Sequence, residues 1–413
     1  MERLPGFRDF YPEPLPHKDV WSADARQYIF GKWRETARRY GFREYDGPPL
    51  EPLELFTTKS GDEIIGQLYN FTDKGERVVA LRPEMTPTLA RMVAAHERAY
   101  KKPIKWFAVP QLFRYERQQK GRLREHFQFN ADIIGEADTA AEAELIALLI
   151  DSLRSLGLTQ EDFVIRLSSR NAWQDYFAAR CHDHSKTYEF FQIVDKLERE
   201  DAAKSEEKLK TLGFSLDELD RFIEAGEPTP ELNAVLKNLG ARGLGDFVKV
   251  DYHVIRGLAY YTGPVFEAFD RKSEFRAIAG GGRYDNLVKL ISGGKVSLPA
   301  LGFGMGDVVL LELLKARGLL PQFNAGVDVF VLIEDESVRA QSLRLIQDLR
   351  SAGHVVEYAL TPTKPDKQFK RAQELKAAHT AKVETESTAR IRNLKTREEA
   401  VVALAEAAGC LRQ

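Results

Sequence analysis

Cysteine is nearly missing: Cys181 and Cys410 are the two in 413 residues. That pair fits no metal-ligand spacing and no disulfide framework, which points to a reducing compartment and an expected cytoplasmic location. No apolar run reaches the roughly 18 residues that a membrane span requires, so no membrane partner is expected. Met1–Gly6 lacks the apolar core of a secretory signal. Net charge is also small, with 60 Lys+Arg against 62 Asp+Glu leaving −2. A nucleic-acid binder with this balance must gather its positive charge locally. The chain shows no internal repeat and no low-complexity tract. What is present is 43% hydrophobic and 30% charged sequence, enough for a sizeable core in two or three domains.

Residues 1–17 are Pro-rich and irregular. Val20, Trp21, Ala25, Phe30, Trp33 and Ala37 recur near helical spacing and predict a helix from Lys18 to Tyr40, stopped by Gly41. A short strand over Phe42–Tyr45 closes at Gly47-Pro48-Pro49. This helix and strand read either as a dimer surface or as ordinary packing. Tyr69–Phe71 and Arg77–Leu81 flank the turn Asp73-Lys74-Gly75 as a hairpin. Thr86–Arg98 reads as a helix with Pro87 in its first turn. Lys105–Tyr115 and Phe127–Ile134 read as an antiparallel pair joined by a basic loop, Glu116–Glu125. Thr139 and Glu142 match a capping box, opening a helix that carries Leu145, Leu149, Leu153 and Leu156 on one face. After a strand at Val164–Ser168, residues 171 to about 245 turn helical and charged, as an inserted module would. Strands and glycine-rich turns return over Phe247–Gly306, followed by a helix at Asp307–Lys315 and a linker at Gly318–Gly326. A strand (Val327–Ile333), a helix (Ser337–Ala352) and a second strand (Val355–Tyr358) then predict a separate small α/β domain.

Three arginine-bearing stretches carry the chemistry. The first is Phe113-Arg114-Tyr115-Glu116-Arg117, running through Arg122 to Gln128. If extended, it puts Arg114 and Glu116 on one face. There the arginine can clamp a phosphate bidentately, and the glutamate can accept from a base amino group or help ligate magnesium. A cross-strand ion pair is the plainer alternative. The second stretch, Arg256–Gly263, sets an arginine at a glycine turn before Tyr260 and Tyr261. These point to opposite faces if extended, one into a pocket and one into the core. The third, Ala279–Asp285, offers close backbone approach at Gly280, Gly281 and Gly282, or simply a tight turn. Arg283 would stack on a base or pair with Asp285. In Leu81–Pro87, Glu84 suits a substrate ammonium, while Thr86 reads equally well as a helix N-cap.

Taken together, these stretches resemble the histidyl-tRNA synthetases of class II, over nearly the whole chain. Arg114 to Gln128 resembles the second class II signature, with Pro48 or Pro49 in the first. Arg256–Tyr261 and Ala279–Asp285 resemble the two histidine-specific signatures. The resemblance implies an α+β fold: a class II antiparallel sheet flanked by helices, with a helical insertion and a C-terminal α/β anticodon-binding domain. It divides the chain into a catalytic domain, 1–325, and an anticodon-binding domain, 326–413. It implies an AMP-forming ligase with ATP, Mg2+, histidine and tRNA(His) as cofactors and partners, acting as a homodimer. Arg114 and Arg256 would be catalytic, holding the α-phosphate. Arg114, Glu116, Arg122, Gly304 and Gly306 would bind ATP. Glu84, Thr86, Gln128 and Asp132 would hold the ammonium end of histidine. Arg256 would meet its carboxylate, and Tyr260, Tyr261, Gly280 and Gly281 would border the ligand. No metal ligand is assigned.

Three positions depart from the family pattern. Val309 stands where the third signature usually has an arginine against adenine. Ala259 replaces an aspartate and Asp132 a glutamate. Lys376–Arg392 is short and polar where a firmer strand is usual. A second reading is the synthetase-like regulatory subunit of the ATP phosphoribosyltransferase of histidine biosynthesis, which lacks an anticodon-binding domain. The tail from Gly326 favours the ligase. Within it, Lys364, Lys367, Lys370 and Arg371 are candidates for phosphate contacts or a solvated helix face.

Overall fold

The computed structural model describes all residues except 1, 18–19, 61–65, 116–122, 199, 257–259, 324–325 and 412–413. The chain separates into two units, Met1–Pro321 and Gln322–Gln413. The boundary falls inside the expected linker, four residues before the expected cut.

The first unit is built on a nine-stranded sheet. Its centre is antiparallel, running Phe163–Ser169, Pro264–Asp270, Ala279–Arg283, Ala300–Gly306, Glu125–Ile134 and Ile104–Ala108. Each end carries a parallel strand, Val248–Val250 at one and Arg43–Glu44 at the other. Gln111–Phe113 pairs with the start of Glu125–Ile134. The expected single strand Lys105–Tyr115 is therefore broken in two. Pro110 lies at the break and has no N–H to give a ladder.

One face of this sheet is covered by helices. Ala23–Arg39 buries Ala25, Ile29, Phe30, Trp33 and Ala37, and Trp33 stacks on Phe129 at 5.6 Å. The helix starts later than the pattern predicts. Ser22 caps it by accepting the Ala25 N–H, and Trp21–Ser22 forms a short strand with Phe10–Tyr11. Ala140–Arg154 lies beside it with Leu145, Leu149 and Leu153 buried.

The capping box at its start is not made, since Thr139 forms no side-chain cap bond. Asp138 takes the Ala140 N–H instead, at 2.7 Å. Glu142 is fully buried and pairs with Arg283 at 2.5 and 2.7 Å. Arg283 also reaches Asp285, at 3.3 Å. The expected cap is thus corrected, since Glu142 is no cap; of the two expected roles of Arg283, the pair with Asp285 is the one made, alongside the buried pair with Glu142.

The insertion forms as expected. Among the described residues five α-helices, from Arg170–Ala178 to Pro230–Ala241, connect two neighbouring strands of the sheet. They pack around Trp173, Phe177, Phe190 and Phe214.

In the second unit a five-stranded sheet holds Val329–Leu332 between Val356–Tyr358 and His379–Val383, with Thr388–Asn393 and Glu399–Ala403 beyond. The polar stretch around residues 376–392 therefore does carry strands. Buried Ala381, Val383, Ala389 and Ile391 supply their apolar side. Lys364, Lys367, Lys370 and Arg371 are exposed on and beside the helix Pro365–Glu374.

Candidate active site

Alternation along the central strands separates two faces. Phe129, Ala131, Ile133, Phe303 and Met305 point to the helices and are buried. Gln128, Asn130, Asp132, Gly302, Gly304, Gly280 and Glu267 line a cavity of about 1020 Å³ on the other face. The glycines leave its floor bare so that long polar side chains can lie across it. A Cβ at Gly304 would come within 2.6 Å of Gln128 Cδ. One at Gly302 would come within 2.7 Å of Asp132 Cγ, and one at Gly280 within 2.7 Å of Arg256 Cζ.

Arg114, Arg166, Arg256 and Arg276 line this cavity, and the first and third are the two that the sequence singled out. Arg114 follows the Gln111–Phe113 strand, its N–H bonded to Arg124 O at 2.9 Å. Its Nε donates to Pro83 O at 3.0 Å, leaving the end of the fork to the cavity. Arg256 pairs with Glu267 and lies 5.6 Å from the Tyr261 ring centroid. Burial opposes its charge, but Tyr261 and Glu267 more than offset this, so its pKa stands above the ordinary arginine value. Its buried Nε has no partner among the described residues.

Acceptors gather elsewhere on the cavity wall. Glu84 is 8% exposed and takes a hydrogen bond from Tyr260 Oη at 2.9 Å. Asp132 takes one from Tyr284 Oη at 2.6 Å. Burial pushes the Asp132 carboxyl up to about 7, and the Tyr284 bond only partly counters it. Thr86 also lines the cavity, at the first helical residue. Met85 holds the N-cap position and no side-chain cap bond exists, so Thr86 is not the cap. Tyr260 and Tyr261 do not divide between pocket and core. Both line the cavity, with ring centroids 4.8 Å apart.

Arg114, Arg256, Glu84, Thr86, Gln128, Asp132, Tyr260, Tyr261, Gly280, Gly304 and Gly306 thus border one space. Gly281 does not. It faces the helices, where a Cβ would lie 2.7 Å from Phe303 Cβ. Glu116 and Arg122 lie outside the described residues, as does Ala259. Val309 is at the wall and brings no charge.

Among the lining residues that sequence reasoning passed over are Asn130, Glu267 and His126, together with the charged Arg166, Arg276, Asp195 and Glu198. Asn130 sits between Gln128 and Asp132 in the same alternation, so period two alone would have found it. Its buried Oδ1 has no partner among the described residues. Glu267 is the register partner of Gly280. The enclosed His126 ring is pushed down to about 3 by burial and by the nearby Arg114 and Arg8, so it is neutral at physiological pH.

The Histidyl-tRNA synthetase family model matches residues 17–307. The chain belongs to the histidyl-tRNA synthetase family. A histidine–tRNA ligase of Opitutus terrae is 48% identical over 394 residues, covering 90% of this chain and 88% of that protein. The chloroplastic/mitochondrial histidine–tRNA ligase of Arabidopsis thaliana is 38% identical, covering 90% of this chain and 78% of that protein. A crystal structure of histidyl-tRNA synthetase from Nostoc sp. superposes with a TM-score of 0.76 at 22% identity, covering 97% of each chain. The family's α+β class II fold is therefore the fold of this chain, and ATP is its nucleotide substrate.

Proposed function

We propose that this chain is a histidine–tRNA ligase, which activates histidine with ATP and transfers it to the 3′ end of tRNA(His). One observation carries the reading. A single cavity presents two fixed guanidiniums, Arg114 and Arg256, together with the acceptors Glu84, Gln128 and Asp132. A zwitterionic amino acid and a polyphosphate need both kinds of group. The intact arginine pair and the α/β unit after residue 321 support the ligase over the regulatory-subunit reading.

In the first step a histidine carboxylate oxygen bonds to the α-phosphorus of ATP, and the bond to pyrophosphate breaks. Arg114 and Arg256 face the charge that grows on the α-phosphate oxygens. Both are already held, by Pro83 O and Glu267, so they need no reorganisation when it appears. Glu84, Thr86, Gln128 and Asp132 offer the acceptors for the ammonium and ring N–H groups of histidine. A competitor lacking those donors leaves buried acceptors unpaired. Tyr260 and Tyr261 close the side-chain end. In the second step the terminal ribose hydroxyl of tRNA attacks the adenylate carbonyl and AMP leaves. Glu116 and Arg122 keep their expected roles toward adenine and the outer phosphates.

No group of three metal-ligating side chains occurs among the described residues. Mg2+ is assigned to the phosphates of ATP. The exposed lysines beside Pro365–Glu374 are assigned to tRNA phosphates. Exposed Leu50, Phe71 and Val78 on one small sheet are assigned to the dimer contact of a cytoplasmic enzyme.

Amino-acid-dependent ATP–pyrophosphate exchange over a panel of amino acids tests the proposal. Exchange with histidine alone is the expected result. No exchange from folded protein would reject it and turn attention to phosphoribosyltransferase binding.

Asp132 supplies a pH test. Its carboxyl is neutral below about 7 and becomes a charged acceptor above it. The kcat/KM for histidine should rise as pH passes through about 7, and Asp132→Asn should remove that rise. Free histidine titrates near the same pH, and the Asp132→Asn profile subtracts its contribution. Identical profiles would exclude Asp132 from recognition.

A further inference from the structure

Arg170 stands where the sheet gives way to the helical insertion. It is 6% exposed, and its backbone N–H donates to Gly263 O at 3.1 Å. Its Nη1 donates to the backbone carbonyl of Arg256 at 2.9 Å. The same guanidinium lies 4.6 Å from the ring centroid of Phe191, which belongs to the insertion helix Thr187–Val194. One side chain therefore touches both the insertion and the peptide unit of the phosphate-facing arginine.

The conformation of Arg256 explains why such a contact matters. Its φ is 61°, in the left-handed region that non-glycine residues seldom occupy. A residue held there persists only when its surroundings fix it. Two contacts do so from opposite ends. Glu267 holds the guanidinium, and Arg170 holds the carbonyl. Gly280 leaves the guanidinium just enough space, so a small turn of the backbone at residue 256 would redirect its tip. The insertion also supplies the cavity wall near this point through Asp195 and Glu198, and Glu198 pairs with Arg166 of the sheet at 2.9 Å.

We propose that Arg170 is a positioning residue for Arg256, and that the helical insertion sets the aim of that guanidinium through the contact of Arg170 with Phe191. This rests on reading Arg256 as the α-phosphate cation. The insertion is then part of the adenylation machinery as well as part of the cavity wall.

The test is steady-state histidine-dependent ATP–pyrophosphate exchange in the full-length protein. Arg170→Ala is expected to lower kcat about 10²-fold, the scale of a 1 Å misplacement. The KM values for histidine and ATP should stay within about threefold. Phe191→Ala should give a smaller loss of the same kind. The double variant should be little worse than Arg170→Ala alone, because both changes act through one contact. Arg170→Lys, which keeps a donor but not the planar fork, should fall between wild type and alanine.

Wild-type kcat in Arg170→Ala, a change confined to KM, or full additivity with Phe191→Ala would each overturn the proposal. Arg256→Ala separates this from the underlying reading. If that variant keeps wild-type exchange, the assignment of Arg256 fails. If it is inactive while Arg170→Ala is normal, only the positioning role fails. Should Arg170→Ala fail to fold by circular dichroism, Arg170→Lys and Phe191→Leu carry the test, and unchanged kcat in both would overturn it.

Discussion

Gly280→Ala is expected to cost roughly 10²- to 10³-fold in histidine-dependent pyrophosphate exchange, the scale of losing one preorganised electrostatic contact, while the fold survives. The added methyl would come within 2.7 Å of Arg256 Cζ. Real Cβ contacts are never that close, so the guanidinium must move. Glu267 anchors it on one side, so it cannot simply swing aside and keep its aim. Gly281→Ala is the matched control one residue along. There the methyl points to the opposite face, toward the Gly302–Phe303 backbone, with Phe303 Cα at 2.8 Å. That variant should lose stability by disturbing the sheet. Paired exchange assays and urea melts check both outcomes. A Gly280→Ala enzyme with normal kcat would mean that the Arg256 guanidinium is free to relocate.

The second large effect is on stability. Arg283→Met removes the partner of Glu142, a carboxylate with no exposed surface, and leaves it charged in the interior. Breaking one side of such a pair costs about 3–5 kcal/mol. The double variant Arg283→Met, Glu142→Leu should recover most of that loss, because two apolar groups replace two paired charges. Urea denaturation of the single and double variants measures the difference. Equal stability of the two would show that Glu142 finds another partner or takes up a proton without cost.

These two residues also show where local patterns stop being informative. Thr139-x-x-Glu142 matches a capping box, and nothing within a few positions argues against it. The competing partner lies 141 residues further on, and a buried ion pair takes precedence over an end cap. For Arg283 the pair with Asp285 was legible two positions along, whereas the partner Glu142 was not. Thr86 failed as a cap because the helix starts at Thr86 itself, with Met85 before it. By contrast, the cavity face of Glu125–Ile134 was legible from period two. Gln128 and Asp132, which the family resemblance had named, fall on it, and period two carries the same face to Asn130. Arg8 was not legible. It bridges Glu125 at 2.6 Å and Asp307 at 2.8 Å, and a proline-rich, irregular first segment gives no sign of such a role.

The two neighbouring strands Phe163–Ser169 and Val248–Val250 run parallel. Parallel neighbours cannot be joined by a tight turn and need a crossover of a dozen residues or more. The helical module occupies that obligatory detour. Its length is therefore nearly free of topological penalty, since doubling a connection adds only about 0.6 kcal/mol in closure entropy. Evolution can enlarge, shrink or exchange the module here without re-pairing a single strand. The position that joins it to the sheet, Arg170, is where such exchanges would first be felt in the reaction.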